Sequence, residues 1–104
     1  MKIKILPLLL LLMLTNSLGA KILLPEIMSD NMVLQQNTKV NLWGKSDPGK
    51  TVEIRPSWTS EITKVKVDAK GNWIASVATP AASFTPYTIS FSDGEKLTLK
   101  NILI

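Results

Sequence analysis

The chain has 104 residues, with twelve Lys or Arg against eight Asp or Glu, a formal charge of +4, and neither histidine nor cysteine. That composition excludes disulfides, thiolate or imidazole metal sites, and every catalytic constellation built on histidine or a cysteine nucleophile. The lysines alternate with acidic residues and form no clustered basic face, which argues against nucleic-acid binding.

The sequence opens Met1-Lys2-Ile3-Lys4, runs through the apolar block Ile5 to Leu14 and reaches small and polar residues at Thr15 to Ala20. A basic start, a short leucine-rich core and a small-residue end predict a secretory signal peptide over residues 1–20, cleaved after Gly19 or Ala20. The apolar run is too short for a comfortable membrane span. What remains, residues 21–104, is long enough for one domain. It has no cysteine to carry a lipid anchor, so a periplasmic or secreted product is expected.

After the leader no stretch keeps helical spacing, and short β-rich runs divided by turn signals predict an all-β domain. Residues 21–28, KILLPEIM, read as an edge strand interrupted at Pro25, because proline cannot donate a ladder hydrogen bond. A turn at 29–31 leads to a short strand, Met32 to Leu34. In KVNLWGKSDPGKTVEI, residues 39–54, Val40, Leu42 and Gly44 face one way with Asn41 and Trp43 on the other. The Ser46 to Gly49 turn then reverses the chain, and Val52 and Ile54 resume the inward alternation until Pro56. Trp58 lies among polar residues and is read as covering an edge of the core.

Strict alternation returns at Lys64 to Asp68, residues 68–71 turn, and Trp73, Ala75 and Val77 point inward, a pattern expected of a hairpin. The two-proline stretch 78–86 reads as a crossing loop. Tyr87, Ile89 and Phe91, a turn at 92–95, then Leu97, Leu99 and Ile102 predict a last hairpin. The fold class is therefore a small immunoglobulin-like or jelly-roll-like β-sandwich of about seven short strands, with a five-stranded oligonucleotide-binding barrel as the structural competitor. The apolar ending LTLKNILI predicts a truncated product or a domain boundary, with the edge of residues 97–104 unpaired.

The residues carry little chemistry. No serine sits in a Gly-x-Ser-x-Gly elbow, and Ser29-Asp30 and Ser92-Asp93 read as turn residues. Asp30, Asp47, Asp68 and Asp93 all fall in or beside turns, where such side chains accept backbone N–H groups two residues on. A glycosidase pair would instead hold two of them about 5 to 9 Å apart across a cleft. Trp43, Trp58 and Trp73 are the notable aromatic residues. Trp73 is expected in the core and Trp43 in the core or an interface, while an aromatic surface for sugar stacking is the alternative for Trp43 and Trp58.

The runs LPEIMSDNMVLQQNTKVNLWGKSDPGKTVEI at 24–54, DAKGNWIASVATP at 68–80 and PYTISFSDGEKLTLKNILI at 86–104 together resemble the start of the sialate O-acetylesterase family. That resemblance implies an N-terminal β-sandwich ahead of an SGNH-type carbohydrate esterase domain. This hydrolase domain removes acetyl esters from sialic acids or related acetylated glycans through a serine in a Gly-Gln-Ser-Asn motif, with no metal or organic cofactor. The sequence stops before that motif, so no catalytic residue is carried over. The candidate domain-interface or sugar-contacting residues are Trp43, Trp58, Lys100 and Asn101, with Lys100-Asn101 leading toward the esterase domain. The expected partners are that missing esterase domain and its acetylated glycan. The alternative is a stand-alone secreted module that binds carbohydrate or another protein.

Overall fold

The computed structural model describes residues 22–104, and the expected leader at 1–20 lies outside the described residues. Six strands follow in order: β1 Lys39–Lys45, β2 Thr51–Pro56, β3 Thr63–Lys66, β4 Asn72–Ala78, β5 Tyr87–Ser92 and β6 Lys96–Ile102. They form a two-stranded sheet, β1-β4, and a four-stranded sheet, β3-β2-β5-β6, with every strand pair antiparallel. This is a small all-β sandwich. Leu42, Val52, Ile54, Trp73, Ala75, Val77, Ile89 and Phe91 all turn inward and are buried, as the alternation predicts. Each full burial of a side chain of this kind contributes about 1.5–3 kcal/mol. Among the described residues no helix is long and apolar enough to cross a membrane.

Two of the three expected hairpins are corrected. β1 does not pair with β2, nor β3 with β4; of the three expected hairpins only β5-β6 forms, and β2 instead pairs antiparallel with β3 across residues 57–62. The chain crosses from one sheet to the other at residues 46–50 and again at 67–71, so each is an arch over the edge of the core. The arches are bound to each other: Ser46 donates its N–H to the Gly71 carbonyl at 3.0 Å, Gly49 to Val67 at 3.1 Å and Val67 to Lys50 at 2.8 Å. An alternating strand shows the same apolar side to the core whether its neighbour lies beside it or in the facing sheet. The turn chemistry does distinguish them, because Pro48 followed by Gly49 at φ 83° fits an unprimed turn, whose twist splays the flanking strands.

The expected strands at 21–28 and 32–34 are each a single bridge among the described residues, Leu23 to Lys45 antiparallel and Val33 to Leu103 parallel. The segment 22–34 reaches both sheets through these bridges and sinks Ile22 and Met28 into the core. Its pairing also corrects the expected open edge at 97–104. Asn31 N–H reaches the Lys100 carbonyl at 3.0 Å, Leu103 N–H reaches Met32, and Leu34 N–H reaches Leu103. Asp30 Oδ1 accepts the Lys100 N–H at 2.8 Å. The last strand is thus covered by residues 30–34.

The β5-β6 register shifts between Tyr87 opposite Ile102 and Ile89 opposite Leu99, which places one extra residue on β6. Asn101 absorbs it at φ 56°, a left-handed conformation that asparagine tolerates better than most residues. This bulge restores Ile102 to the core face after Leu99, and Ile102 is completely buried.

Candidate functional site

A groove lies where the β1-β4 sheet meets the edge strand β3, bounded by outward-facing residues of β1 and β4. Since Leu42 and Gly44 face inward, Trp43 faces out; since Trp73 and Ala75 face inward, Ile74 faces out. The register sets Trp43 directly beside Ile74 and Lys45 beside Asn72, and the bridge at Lys45 adds Leu23 to the same face. Leu23, Trp43 and Ile74 are 62%, 41% and 60% exposed, an unusual concentration of exposed apolar side chains for so small a domain.

Gly44 fixes the geometry beneath Trp43. A Cβ at this position would lie 2.4 Å from the Leu23 carbonyl oxygen and 3.0 Å from Cζ2 of Trp73. Only glycine lets the 22–24 segment and the buried indole close on the strand from both sides. The groove, about 440 Å³, runs from Trp43 and Ile74 across Asn72 to Val65, Lys66 and Asp68. A second groove of about 220 Å³ on the Leu23 side shares Trp43, Gly44 and Asn72, so Trp43 borders both. Trp73 lines the larger groove from below, and its Nε1 is buried with no hydrogen-bond partner among the described residues.

Asp68 sits at the rim. Its Oδ1 accepts the backbone N–H groups of Lys70 and Asn72, both at 2.9 Å, as the turn reading predicts. The bond from Asn72, helped by Lys70 and opposed by desolvation, holds the Asp68 carboxyl below the usual carboxylate range. A carboxyl with a lower pKa in the folded than in the unfolded state adds stability above the unfolded value and loses it as pH falls through the folded one. The chain is therefore expected to melt higher than its Asp68→Asn variant at neutral pH, with the gap closing under acid. A gap that stays constant across the acid range in thermal scans would show that the charge contributes nothing.

The remaining candidates lie elsewhere. Trp58 is half-buried, donates Nε1–H to the Ala78 carbonyl at 3.0 Å and meets Tyr87 edge-on with ring centroids 5.4 Å apart. It lines a separate pocket with Pro56, Val77 and Thr79, so Trp43 and Trp58 share no groove. Lys100 and Asn101 are exposed on β6, where the Asn101 side-chain amide donates to Asn31 Oδ1 at 2.7 Å. Near them Val33 and Leu103 pair, and the next residue, Ile104, accepts the Ser83 N–H at 3.1 Å. The residue after Ser83, Phe84, is fully exposed.

Sequence reasoning missed Ile74, Asn72 and Leu23 as companions of Trp43, because register is not written in any one strand. It also missed the contact in which Ser46 Oγ donates to Asp93 Oδ2. Asp93 is buried and takes the Glu95 N–H on its other oxygen, which makes the pair a fastening between the first arch and the β5-β6 turn. In a chain without histidine it has no imidazole base to activate the serine. Among the described residues no group of three or more acidic side chains comes together to hold a metal ion.

No family model matches the sequence, and no curated protein matches it. Among solved structures the chain is similar to a carbohydrate acetylesterase from Xanthomonas citri, with 28% identity and a TM-score of 0.72 over 80% of this chain. This is a carbohydrate-esterase-related domain. The match covers 19% of the Xanthomonas chain, so the carbohydrate-esterase-related domain corresponds to a minor part of that protein.

Proposed function

We propose that this chain is the noncatalytic β-sandwich of a larger sialate O-acetylesterase-type enzyme, exported by residues 1–20, whose hydrolase domain cleaves O-acetyl esters of sialic acids or related glycans. The observation that carries the reading is the match over most of this chain and under a fifth of a carbohydrate acetylesterase. Ester hydrolysis of that kind needs an activated nucleophile, a proton acceptor and an oxyanion hole; the described residues supply no such set. The reaction belongs to the other domain.

Val33 and Leu103, bordered by Lys100 and Asn101, supply the surface on which the hydrolase packs, with the exposed Phe84 as a further apolar contact, since exposed apolar side chains of this kind mark contacts. Two measurements test the proposal. The reading frame beyond Ile104 is expected to encode a Gly-Gln-Ser-Asn nucleophile motif, and hydrogen exchange at Leu103 is expected to slow in the longer product. The chain alone is expected to release no acetate from O-acetylated sialic acid or a chromogenic acetyl ester, whereas the longer product does. Acetate release by the chain alone, scaling with its concentration, would overturn the noncatalytic reading.

A further inference from the structure

We propose that the groove beside Trp43 is a glycan-binding subsite that seats one O-acetylated pyranose ring of the substrate polymer. This rests on the acetylesterase reading for the identity of the ligand and on the groove for its place. A pyranose presents a face of C–H bonds and a rim of hydroxyls, and an O-acetyl group adds a methyl beside a carbonyl. Its binding site therefore needs a flat aromatic face, an apolar wall and hydrogen-bonding groups at the edge.

The groove has all three. Trp43 offers a partly exposed indole whose electron-rich face attracts the polarised C–H groups of a sugar. Ile74 and Val65 give the acetyl methyl an apolar wall. Asn72, Lys66 and Asp68 form the polar rim on the same groove. The backbone N–H of Asn72 is already bound to Asp68 Oδ1, so the turn holds the rim in place while the Asn72 amide and Asp68 Oδ2 remain for the ligand. Lys66, at the end of β3, takes no part in the ion pair of Arg55 with Glu53 on the neighbouring β2. The volume of about 440 Å³ falls within the roughly 300–1,000 Å³ usual for small-molecule sites.

A domain-docking role for the same face is the competing use, and the Val33-Leu103 surface already serves that purpose. A hydrolase that acts on a polymer gains from a second hold on it, because the tethered substrate meets the active site at a raised effective concentration.

The test uses the 104-residue chain and its tryptophan side-chain N–H signals in NMR titrations. The probes are an O-acetylated xylo-oligosaccharide, an O-acetylated sialyl oligosaccharide, and the saponified twin of each. The Trp43 signal is expected to move with an acetylated probe and severalfold less with its twin, while the Trp58 signal stays in place. The probe that acts at lower concentration identifies the source of the acetylated ring, and Lys66 favours the carboxylated sialyl sugar.

Trp43→Ala is expected to weaken binding about tenfold or more, the effect of losing roughly 1.4 kcal/mol. Trp43→Tyr is expected to retain most of it and Phe84→Ala all of it. If Trp43→Ala fails to fold, the unsubstituted chain's own signals decide. A Trp43 signal unmoved by both acetylated probes, or moved equally by the twins, overturns the proposal. A hydrolase motif found downstream together with no binding would remove the subsite and leave the acetylesterase reading standing. Binding at Trp43 with a stop codon after Ile104 would do the reverse.

Discussion

Gly44→Ala is expected to cost about 2–3 kcal/mol, the upper part of the range for overpacking, and to lower Tm by roughly 10–20 °C in a domain of this size. The added Cβ would meet the Leu23 carbonyl oxygen at 2.4 Å. That oxygen accepts the Lys45 N–H at 2.9 Å, while the Leu23 N–H returns to the Lys45 carbonyl at 2.9 Å, so it cannot retreat without breaking the bridge. On the other side stand Cζ2 and Cε2 of Trp73 at 3.0 and 3.2 Å, on a ring held in the core. Gly49→Ala is the control, because it meets nothing within 4 Å and is strained only by φ 83°, a cost of about 1–2 kcal/mol. Paired thermal melts that rank Gly49→Ala as equal or worse would show that the 22–24 segment does not close on β1 as described.

The contrast between the two glycines shows what was legible in the sequence. The inward faces were, because period-two alternation is a local property: Leu42, Val52, Ile54, Trp73, Ala75, Val77, Ile89 and Phe91 all lie where the pattern places them. Gly49 was also legible, as the glycine of a Pro-Gly turn. The reason for Gly44 was hidden, since it depends on Leu23, which reaches β1 from a segment carrying only one bridge. The arches at 46–50 and 67–71 escaped for a related reason, as strand pairing is decided by partners far along the chain. β1 chooses β4, and β2 chooses β3 and β5. The Trp43 groove inherits this difficulty, for the outward phase of Trp43 and of Ile74 was readable separately and their adjacency was not. Asn101 is a smaller case, in which one bulged residue shifts the alternation so that Leu99 and Ile102, three apart, share a face.

Trp73 carries the other large expected effect, and two substitutions separate its contributions. Trp73→Ala is expected to cost about 3–5 kcal/mol, because the ring is 3% exposed and packs on Phe91 with centroids 5.9 Å apart. Trp73→Phe is expected to cost far less than its lost area implies. The Nε1 donor it removes has no partner among the described residues, and an unpaired buried donor is itself a penalty of about 1–3 kcal/mol. Denaturant midpoints at constant m-value provide the comparison; a Phe variant as damaged as the Ala variant would mean that the indole N–H is bonded after all. The same ring touches Gly44 and lines the groove, which couples the two sites. In a Trp73→Ala background the Cβ of Gly44→Ala would lose one of its two obstacles and keep the other, the Leu23 carbonyl. The double substitution should therefore be less damaging than the sum of the singles, yet Gly44→Ala should still destabilise the chain in that background. Full additivity would place the two residues out of contact and take away the floor on which the Trp43 groove rests.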